Sequence, residues 1–222
     1  MFFAPGRINL MGEYTDYTGG KVLPATIQHG IWLFIRLIKE NEIRLKSEIL
    51  NISRVVNAEN LGQTTRTWTD YPLGIINKLL SLGMRFTGME LVFFGNLPIG
   101  AGMGNSAALG MVTAFALNRI FDLKLGKLQI SKLVKETENK FASVQSEMMD
   151  HYAVAYGASG KALFVDCNES THKYVPLNVE EYSFVIVQSN VKHKHRETTY
   201  SKRVQELGQV HQIINQYFEI TN

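Results

Sequence analysis

A glycine-rich segment is the part of this sequence whose residue types most directly suggest chemistry. Residues 98–108 read PIGAGMGNSAA, with glycines at positions 100, 102 and 104. This spacing lets the backbone approach a ligand closely and turns successive N–H groups in one direction. A helix starting directly after the loop adds its positive end, which favours phosphate. The segment predicts a phosphate-binding loop; the alternative is a glycine-rich turn capped by Ser106.

Acidic residues elsewhere could supply a base, a metal ligand or sugar contacts. Asp150, which follows two methionines, could be a general base or a helix cap. Glu138 lies on the apolar face of a predicted helix, where a carboxylate needs a partner such as magnesium or a lysine. Ser106 could ligate magnesium through its hydroxyl. The opening loop has a polar cluster that could grip a sugar or form a solvated turn: Arg7, Asn9, Glu13 and Asp16.

Helices and strands that must position these groups follow one another without regular alternation. Asp70 is a possible helix cap, with Pro72 in the first turn and Gly83 at the end of that helix. Residues 31–38 and 42–47 together suggest a hairpin. Further segments are read from their periodicity as helices over 105–121, 128–141 and 198–218, and as strands over 89–95, 161–167 and 183–189. This mixture predicts an α+β fold.

Composition and charge exclude several classes of protein. The 222 residues are 45% hydrophobic and 19% charged, which is ordinary for a globular chain. The formal net charge of +3 comes from basic residues that are mostly scattered, so we expect no nucleic-acid partner. The longest uncharged apolar stretch, residues 107–117, is too short to span a bilayer, so we expect no membrane partner. The single cysteine, Cys167, fits the cytoplasm, a reducing compartment.

Motifs from one end of the chain to the other resemble those of the galactokinase family within the GHMP kinase superfamily. Residues 6–20, GRINLMGEYTDYTGG, resemble the signature G-R-x-N-L-I-G-E-H-x-D-Y-x-x-G. Residues 98–108 resemble the superfamily motif P-x-G-x-G-L-x-S-S-A. Shorter segments resemble W-x-N-Y at 68–71, E-x-x-F at 138–141, I-M-D at 148–150, S-N-V-x-H at 189–193 and S-E-Y ending at Tyr200. The motifs keep the order and nearly the spacing of the family.

This resemblance implies an enzyme that uses ATP and Mg²⁺ to phosphorylate the C1 hydroxyl of galactose. It implies that Asp150 is the catalytic base and that Arg7 steadies developing charge beside it. It makes Ser106 and Glu138 the magnesium ligands. The sugar contacts that it implies are Glu13, Tyr14, Asp16 and Tyr200. The nucleotide contacts that it implies are Trp68, Gly100, Ala101, Gly102, Met103, Gly104, Asn105 and Ser106.

The chain departs from the family pattern at several positions beside the expected sugar and nucleotide. Tyr14 stands in place of His, Glu147 in place of Gly, His151 in place of Gln, and Asn105 in place of the first serine of the loop. A kinase for another sugar, such as N-acetylgalactosamine or arabinose, therefore stays open. So do a non-catalytic sugar and ATP sensor and a non-functional remnant.

The family's third glycine-rich motif is absent from the chain. We therefore expect the amino-terminal portion of a truncated galactokinase, whose activity in isolation is in doubt. Residues 1–180 would form the GHMP kinase amino-terminal domain, with the fold of ribosomal protein S5 domain 2. Residues 181–222 would begin a truncated carboxy-terminal domain. The sequence does not predict the oligomeric state.

Overall fold

Helices and one mixed sheet make up the part of the chain that the computed structural model describes, which is residues 1–62, 64–141, 146, 148–179, 181–188 and 196–217. The strands are β1 (Phe2–Asn9), β2 (Lys21–Val22), β3 (Pro24–Ile38), β4 (Glu42–Ser47), β5 (Ile52–Asn57), β6 (Gly88–Gly95), β7 (Lys161–Asp166) and β8 (Thr171–Pro176). The helices are α1 (Asp70–Ser81), α2 (Asn105–Ile120), α3 (Lys127–Phe141), α4 (Met148–Tyr156) and α5 (Arg196–Tyr217), with a 3₁₀ turn over Asp16–Thr18. The predicted α+β class is confirmed.

The sheet runs in the order β2-β7-β3-β6-β4-β5, while β1 also pairs with β3 and β8 with β7. Every pairing is antiparallel except that of β4 with β6. Because side chains alternate across a strand, Leu33 opposite Phe93 faces the helices and is buried. Trp32 opposite Phe94 points to the other face, where their rings stack. One face of the sheet therefore carries the core that positions the site.

The predicted hairpin of residues 31–38 and 42–47 is wrong. Both segments are strands, but β6 lies between them, antiparallel to β3 and parallel to β4. The inward side chains of β6, Met89, Leu91 and Phe93, are at most 1% exposed. Because β6 lies between β3 and β4, both of its edges are paired and its apolar side chains lie in the middle of the sheet. A hairpin of β3 with β4 would leave β6 without this central position.

The helix α2 is the central helix, as its apolar composition predicts. It packs against β1 and β3 on the sheet and against α1, α3 and α4. Its side chains from Ala107 to Ala114 are all buried, and they include Met111 at 0% exposure. A helix that is apolar all round needs neighbours on every side, and this arrangement fixes the direction in which its amino terminus points.

Two other local predictions are corrected. Asp70 does not cap α1, because its carboxylate accepts hydrogen bonds from residues 65 and 66, ahead of the helix. Residues 183–188 form no strand, although their composition favours one. Val185 and Val187 are 82% and 85% exposed, and no described strand lies beside them to complete a ladder. The division of the chain near residue 180 stays a prediction.

Among the described residues, no helix combines the length and the apolar character needed to cross a membrane.

Candidate active site

Arg7 and Asp150 form a two-pronged ion pair. Arg7 Nε donates to Asp150 Oδ1 at 2.6 Å, and Arg7 Nη2 donates to Oδ2 at 2.7 Å. The third nitrogen, Nη1, donates to the carbonyl oxygen of Gly102 in the glycine loop. Arg7 is held by β1 and Asp150 by the first turn of α4, so two rigid elements fix the pair. Asp150 keeps 24% of its side chain exposed, which leaves the carboxylate accessible.

The glycine loop lies directly against this ion pair. Its three glycines at 100, 102 and 104 all adopt left-handed backbone, with φ of 76°, 72° and 70°. A Cβ at position 104 would lie 3.2 Å from Arg7 Cγ and 3.6 Å from Asp150 Oδ2. The loop also joins β1 through the N–H of Arg7, which donates to the Met103 carbonyl at 3.0 Å. The predicted loop and the predicted base are therefore neighbours.

The amino terminus of α2 is free of side-chain caps. Gly104 is the residue that caps the helix, and no side chain hydrogen-bonds there. The alternative of a turn capped by Ser106 is therefore wrong. Asn105 instead closes the loop, because its Nδ2 lies 3.2 Å from the Leu97 carbonyl and 3.4 Å from that of Pro98. Gly100 and Gly102 are exposed, Ala101 is half-buried, and Met103 is buried in the core.

The opening loop carries polar side chains around a turn that the Thr15 hydroxyl stabilises. Asn9 Nδ2 donates to Glu13 Oε1 at 2.8 Å, and Glu13 is exposed. Tyr14 is 53% exposed and adopts φ of 64°. Asp16 begins the 3₁₀ turn and is half-buried. The helix α5 lies beside this turn and holds Tyr200. The Tyr200 side chain and Glu147 fall outside the described residues.

Trp68 lies in the loop ahead of α1 and packs edge-on against Phe93, with 5.7 Å between ring centroids. Phe93 belongs to β6, the strand that leads into the glycine loop. The indole Nε1 of Trp68 is buried and has no hydrogen-bond partner within the described residues. The residue as a whole is half-buried, so part of it is accessible beside the strand that leads into the glycine loop.

Glu138 is buried on α3 with 2% of its side chain exposed. Neither of its carboxylate oxygens has a hydrogen-bond partner among the described residues, although His151 Nε2 lies 3.2 Å from Oε2. A Cβ at Gly110 would be 3.8 Å from Glu138 Oε1, which places the carboxylate beside α2 one turn beyond Ser106. Because His151 is charged only when protonated, this buried carboxylate also fits a cation that binds mainly through nucleotide phosphates. No cluster of three or more potential His, Cys, Asp or Glu metal ligands occurs in the described part of the chain.

Sequence reasoning missed two residues that shape this site. Thr15 fastens the opening loop, because its hydroxyl lies 2.9 Å from the carbonyl oxygens of both Gly12 and Lys21. Threonine hydroxyls commonly bond to nearby turn backbone, so the run of polar residues was the available signal. His151, noted only as a departure from the family pattern, is fully buried against Glu138. No spacing rule could pair them, because they lie on different helices.

Comparison with known proteins gives matches over both parts of the site. The family described as GHMP kinases N terminal domain matches residues 70–158, and the galactokinase galactose-binding signature matches residues 1–37. A galactokinase of Halalkalibacterium halodurans is 37% identical over 93% of this chain and 52% of its own length. One of Clostridium tetani is 34% identical over 96% of this chain and 55% of its own length. The chain thus spans about half the length of the curated relatives it matches.

Solved structures show the same relationship in three dimensions. The crystal structure of Lactococcus lactis galactokinase complexed with galactose matches with a TM-score of 0.91 and 31% identity. That match covers 100% of this chain and 58% of the other. A mevalonate kinase of Methanococcus jannaschii, at 21% identity and a TM-score of 0.67, shares the fold. Residues 70–158 of the chain therefore match the GHMP kinase N-terminal domain, and residues 1–37 match the galactokinase galactose-binding signature.

Proposed function

We propose that this protein is a sugar 1-kinase that transfers the γ-phosphoryl group of ATP to the C1 hydroxyl of galactose, giving galactose 1-phosphate and ADP. The observation that carries the proposal is the Arg7–Asp150 pair held against the glycine loop. A carboxylate fixed at a phosphate loop can remove a proton from a hydroxyl that attacks phosphorus. The similarity to galactokinases over nearly the whole chain supports galactose as the sugar.

Asp150 acts as the general base in this proposal. Each of its carboxylate oxygens accepts one hydrogen bond from Arg7, and an ionised carboxylate oxygen can accept a second. Asp150 therefore takes the proton of the C1 hydroxyl while Arg7 holds its orientation. The bond from O1 to the γ-phosphorus forms as the bond from that phosphorus to the β–γ bridging oxygen breaks. ADP carries away the electron pair.

The glycine loop and the start of α2 hold the phosphates. The helix end carries a partial positive charge and unpaired N–H groups. Phosphoryl transfer depends on positioning and charge neutralisation more than on covalent chemistry. Glu138 and Ser106 would hold Mg²⁺, which when bound neutralises charge on the nucleotide phosphates. We assign the half-buried Trp68, which packs against Phe93 on the strand leading into the glycine loop, to the nucleotide.

The opening loop provides the sugar contacts in the proposal. Glu13 and Asp16 offer carboxylate acceptors for sugar hydroxyls, and Tyr14 adds a phenol. Tyr200 is the expected fourth contact. Thr15 does not touch the sugar in this scheme; it holds the turn that presents the others. We further propose that the protein works in the cytoplasm on these small molecules, without nucleic-acid or membrane partners.

Replacement of Asp150 tests the proposal. Asp150→Asn keeps the shape of the side chain but removes the proton acceptor, and loss of a general base typically lowers the rate by about 10²–10⁴-fold. We expect kcat with ATP and galactose to fall by that factor while galactose and ATP binding, measured by calorimetry, is largely kept. The matched control is Asp122→Asn, whose side chain is 79% exposed. Full activity in Asp150→Asn would exclude the base role.

A second candidate is a 1-kinase for a related sugar, such as N-acetylgalactosamine. Tyr14 favours it, because a bulky phenol stands in the galactose signature where the family motif has His. A sensor without catalysis is distinguished by the same assays, because it would bind sugar and ATP yet form no sugar phosphate in the unmodified protein.

A further inference from the structure

A buried carboxylate that the proposed reaction does not use organises the loop ahead of α1. Asp70 is 1% exposed. Its Oδ1 accepts the Thr65 hydroxyl at 2.8 Å, and its Oδ2 accepts the Thr65 N–H at 2.9 Å and the Arg66 N–H at 2.7 Å. A carboxylate that gathers three donors folds the loop back onto the start of the helix.

Arg54 holds the same loop from the edge strand β5. Its Nη1 donates to the Thr65 hydroxyl at 2.8 Å and to the Thr69 hydroxyl at 2.6 Å. The same nitrogen lies 3.9 Å from Asp70 Oδ1, so the buried carboxylate faces a cation. The family motif at residues 68–71, W-x-N-Y, has a neutral residue where this chain has Asp70. In this chain the negative charge of Asp70 is faced by the positive charge of Arg54.

The loop held in this way contains a strained backbone and the candidate nucleotide contact. Arg66 adopts φ of 56°, a left-handed conformation that costs about 1–2 kcal/mol for a side chain of this kind. The hydrogen bond from the Arg66 N–H to Asp70 stabilises that conformation. Two residues further on lies the half-buried Trp68. Trp68 therefore lies between Arg66, whose N–H donates to Asp70, and Thr69, whose hydroxyl accepts from Arg54.

We propose that Asp70 and Arg54 are positioning residues for the nucleotide, which act by holding the 64–69 loop so that Trp68 contacts the base of ATP. The inference rests on the proposed function, because it needs a nucleotide beside the glycine loop. Without the pair, the loop samples other conformations, and the apparent dissociation constant rises by the inverse of the competent fraction. The pair affects nucleotide binding and leaves the sugar loop unchanged.

The test uses the fluorescence of Trp68 in the 222-residue chain. The sequence has two tryptophans, so Trp32→Phe on the outer face of the sheet leaves Trp68 as the sole reporter. In this background we compare Asp70→Asn, Arg54→Gln and the control Asp122→Asn, a carboxylate whose side chain is 79% exposed. Titration with ATP gives the dissociation constant of the nucleotide. A separate titration with galactose shows whether sugar binding changes.

We expect Asp70→Asn to shift Trp68 emission to longer wavelength and to raise the ATP dissociation constant about tenfold, as when the competent fraction falls to about a tenth. Galactose binding should not change in Asp70→Asn, and Asp122→Asn should leave the binding of both ATP and galactose as it was. If Asp70→Asn does not fold, the same two measurements on Arg54→Gln, which keeps the Asp70 carboxylate, test the positioning role. Unchanged emission and ATP affinity in the folded variants would overturn the positioning role alone. Failure of the Trp32→Phe reference to bind ATP would overturn the proposed function with it.

Discussion

Tyr14 occupies a backbone conformation that suits its family counterpart better than itself. Its φ of 64° lies in the left-handed region, where histidine is several-fold enriched and bulky residues are rare. Its ring, 6.1 Å from that of Tyr17, extends from the loop that we assign to the sugar. The local fold is therefore compatible with His, and a change of this side chain tests sugar choice without disturbing the turn.

We expect Tyr14→His to preserve thermal stability and to raise the preference for galactose over N-acetylgalactosamine. The shift in the ratio of kcat/KM values should reach up to about tenfold, because one hydrogen bond contributes about 0.5–1.5 kcal/mol. Assays with galactose, N-acetylgalactosamine and arabinose measure it. Tyr14→Phe is the control, since it removes the hydroxyl and keeps the ring. Identical sugar preferences in all three proteins would show that this side chain does not select the sugar.

The site partners of a residue could be predicted where a sequence motif contains that residue. They could not be predicted where the partners are brought together only by the folded structure. Arg7 and Asp150 were expected to share a site because two motifs named them, and the structure joins them across 143 positions. The roles of Asp70 and Arg54 were not foreseen. Asp70 looked like a helix cap, since local rules see only the following helix, whereas its donors come from the preceding loop. Arg54 reaches that loop from a strand that was not predicted at all.

At the scale of elements, the glycine loop combines two different requirements. Gly102 and Gly104 both have positive φ, so alanine at either position adds roughly 1–2 kcal/mol of backbone strain. Only at position 104 would the added Cβ press on Arg7; at position 102 it meets open space. Substitutions at the two glycines therefore distinguish the effect of the loop's shape from the effect of displacing Arg7 and the proposed base, Asp150.

We expect Gly102→Ala to raise KM for ATP with little change in kcat. Gly104→Ala should raise KM for ATP and also lower kcat, because displacement of Arg7 moves Asp150. Steady-state kinetics checks this, with urea unfolding to confirm that both variants lose similar stability. Equal loss of kcat in the two variants would mean that Gly104 does no more than shape the loop.

The turn between β7 and β8 holds the opening loop, and its Asp166 makes stability depend on pH. Backbone N–H groups of Glu169 and Asn168 donate to Asp166 at 3.1 and 3.2 Å. These bonds, with Lys21 nearby, hold the pKa of Asp166 below its ordinary value of 3.8. The Asn168 N–H is shared with the carbonyl of Gly19, and the Cys167 N–H donates to the carbonyl of Gly20, both in the opening loop.

A carboxylate with a lowered folded-state pKa stabilises the fold fully above the unfolded pKa. That stabilisation is lost as the pH falls through the folded value. We therefore expect Asp166→Asn to be less stable than the unmodified protein at pH 7 and equal to it in acid, below both pKa values. Urea unfolding from pH 2.5 to pH 7 measures the difference, with Asp122→Asn as control. A deficit that stays constant down to the lowest pH would contradict the role of the charge.

At this scale the sequence predicted the type of most elements better than it predicted which elements lie next to each other. The helices α1, α2 and α3 were predicted closely, because hydrophobic periodicity is a local signal. The pairing of β3 with β6 was not, because a strand-turn-strand pattern does not state which strand lies between. The strand predicted at 183–189 has the residues of a strand but lacks a described partner for its ladder, and a strand exists only as part of a sheet.

At the scale of the whole molecule, that unpaired segment has a consequence for association. Residues 182–188 read YSFVIVQ and have high β propensity, no charge and no proline. All seven are exposed, including Val185 and Val187. Exposed backbone and apolar side chains of this type form a template for pairing with another chain. The net charge of +3 provides little repulsion to oppose it.

We expect the 222-residue chain to self-associate as its concentration rises, and Val185→Lys with Val187→Lys to suppress this. The two positions share one side of an extended segment, so the lysines place two like charges where a second chain would add. Sedimentation velocity over a concentration series measures the effect. A matched control, Gln212→Lys with Gln216→Lys, adds the same charge on exposed positions of α5. Only the lysines at 185 and 187 alter the exposed segment itself. If both double variants suppress association equally, net charge is the cause. If neither suppresses it, the contact lies elsewhere on the chain.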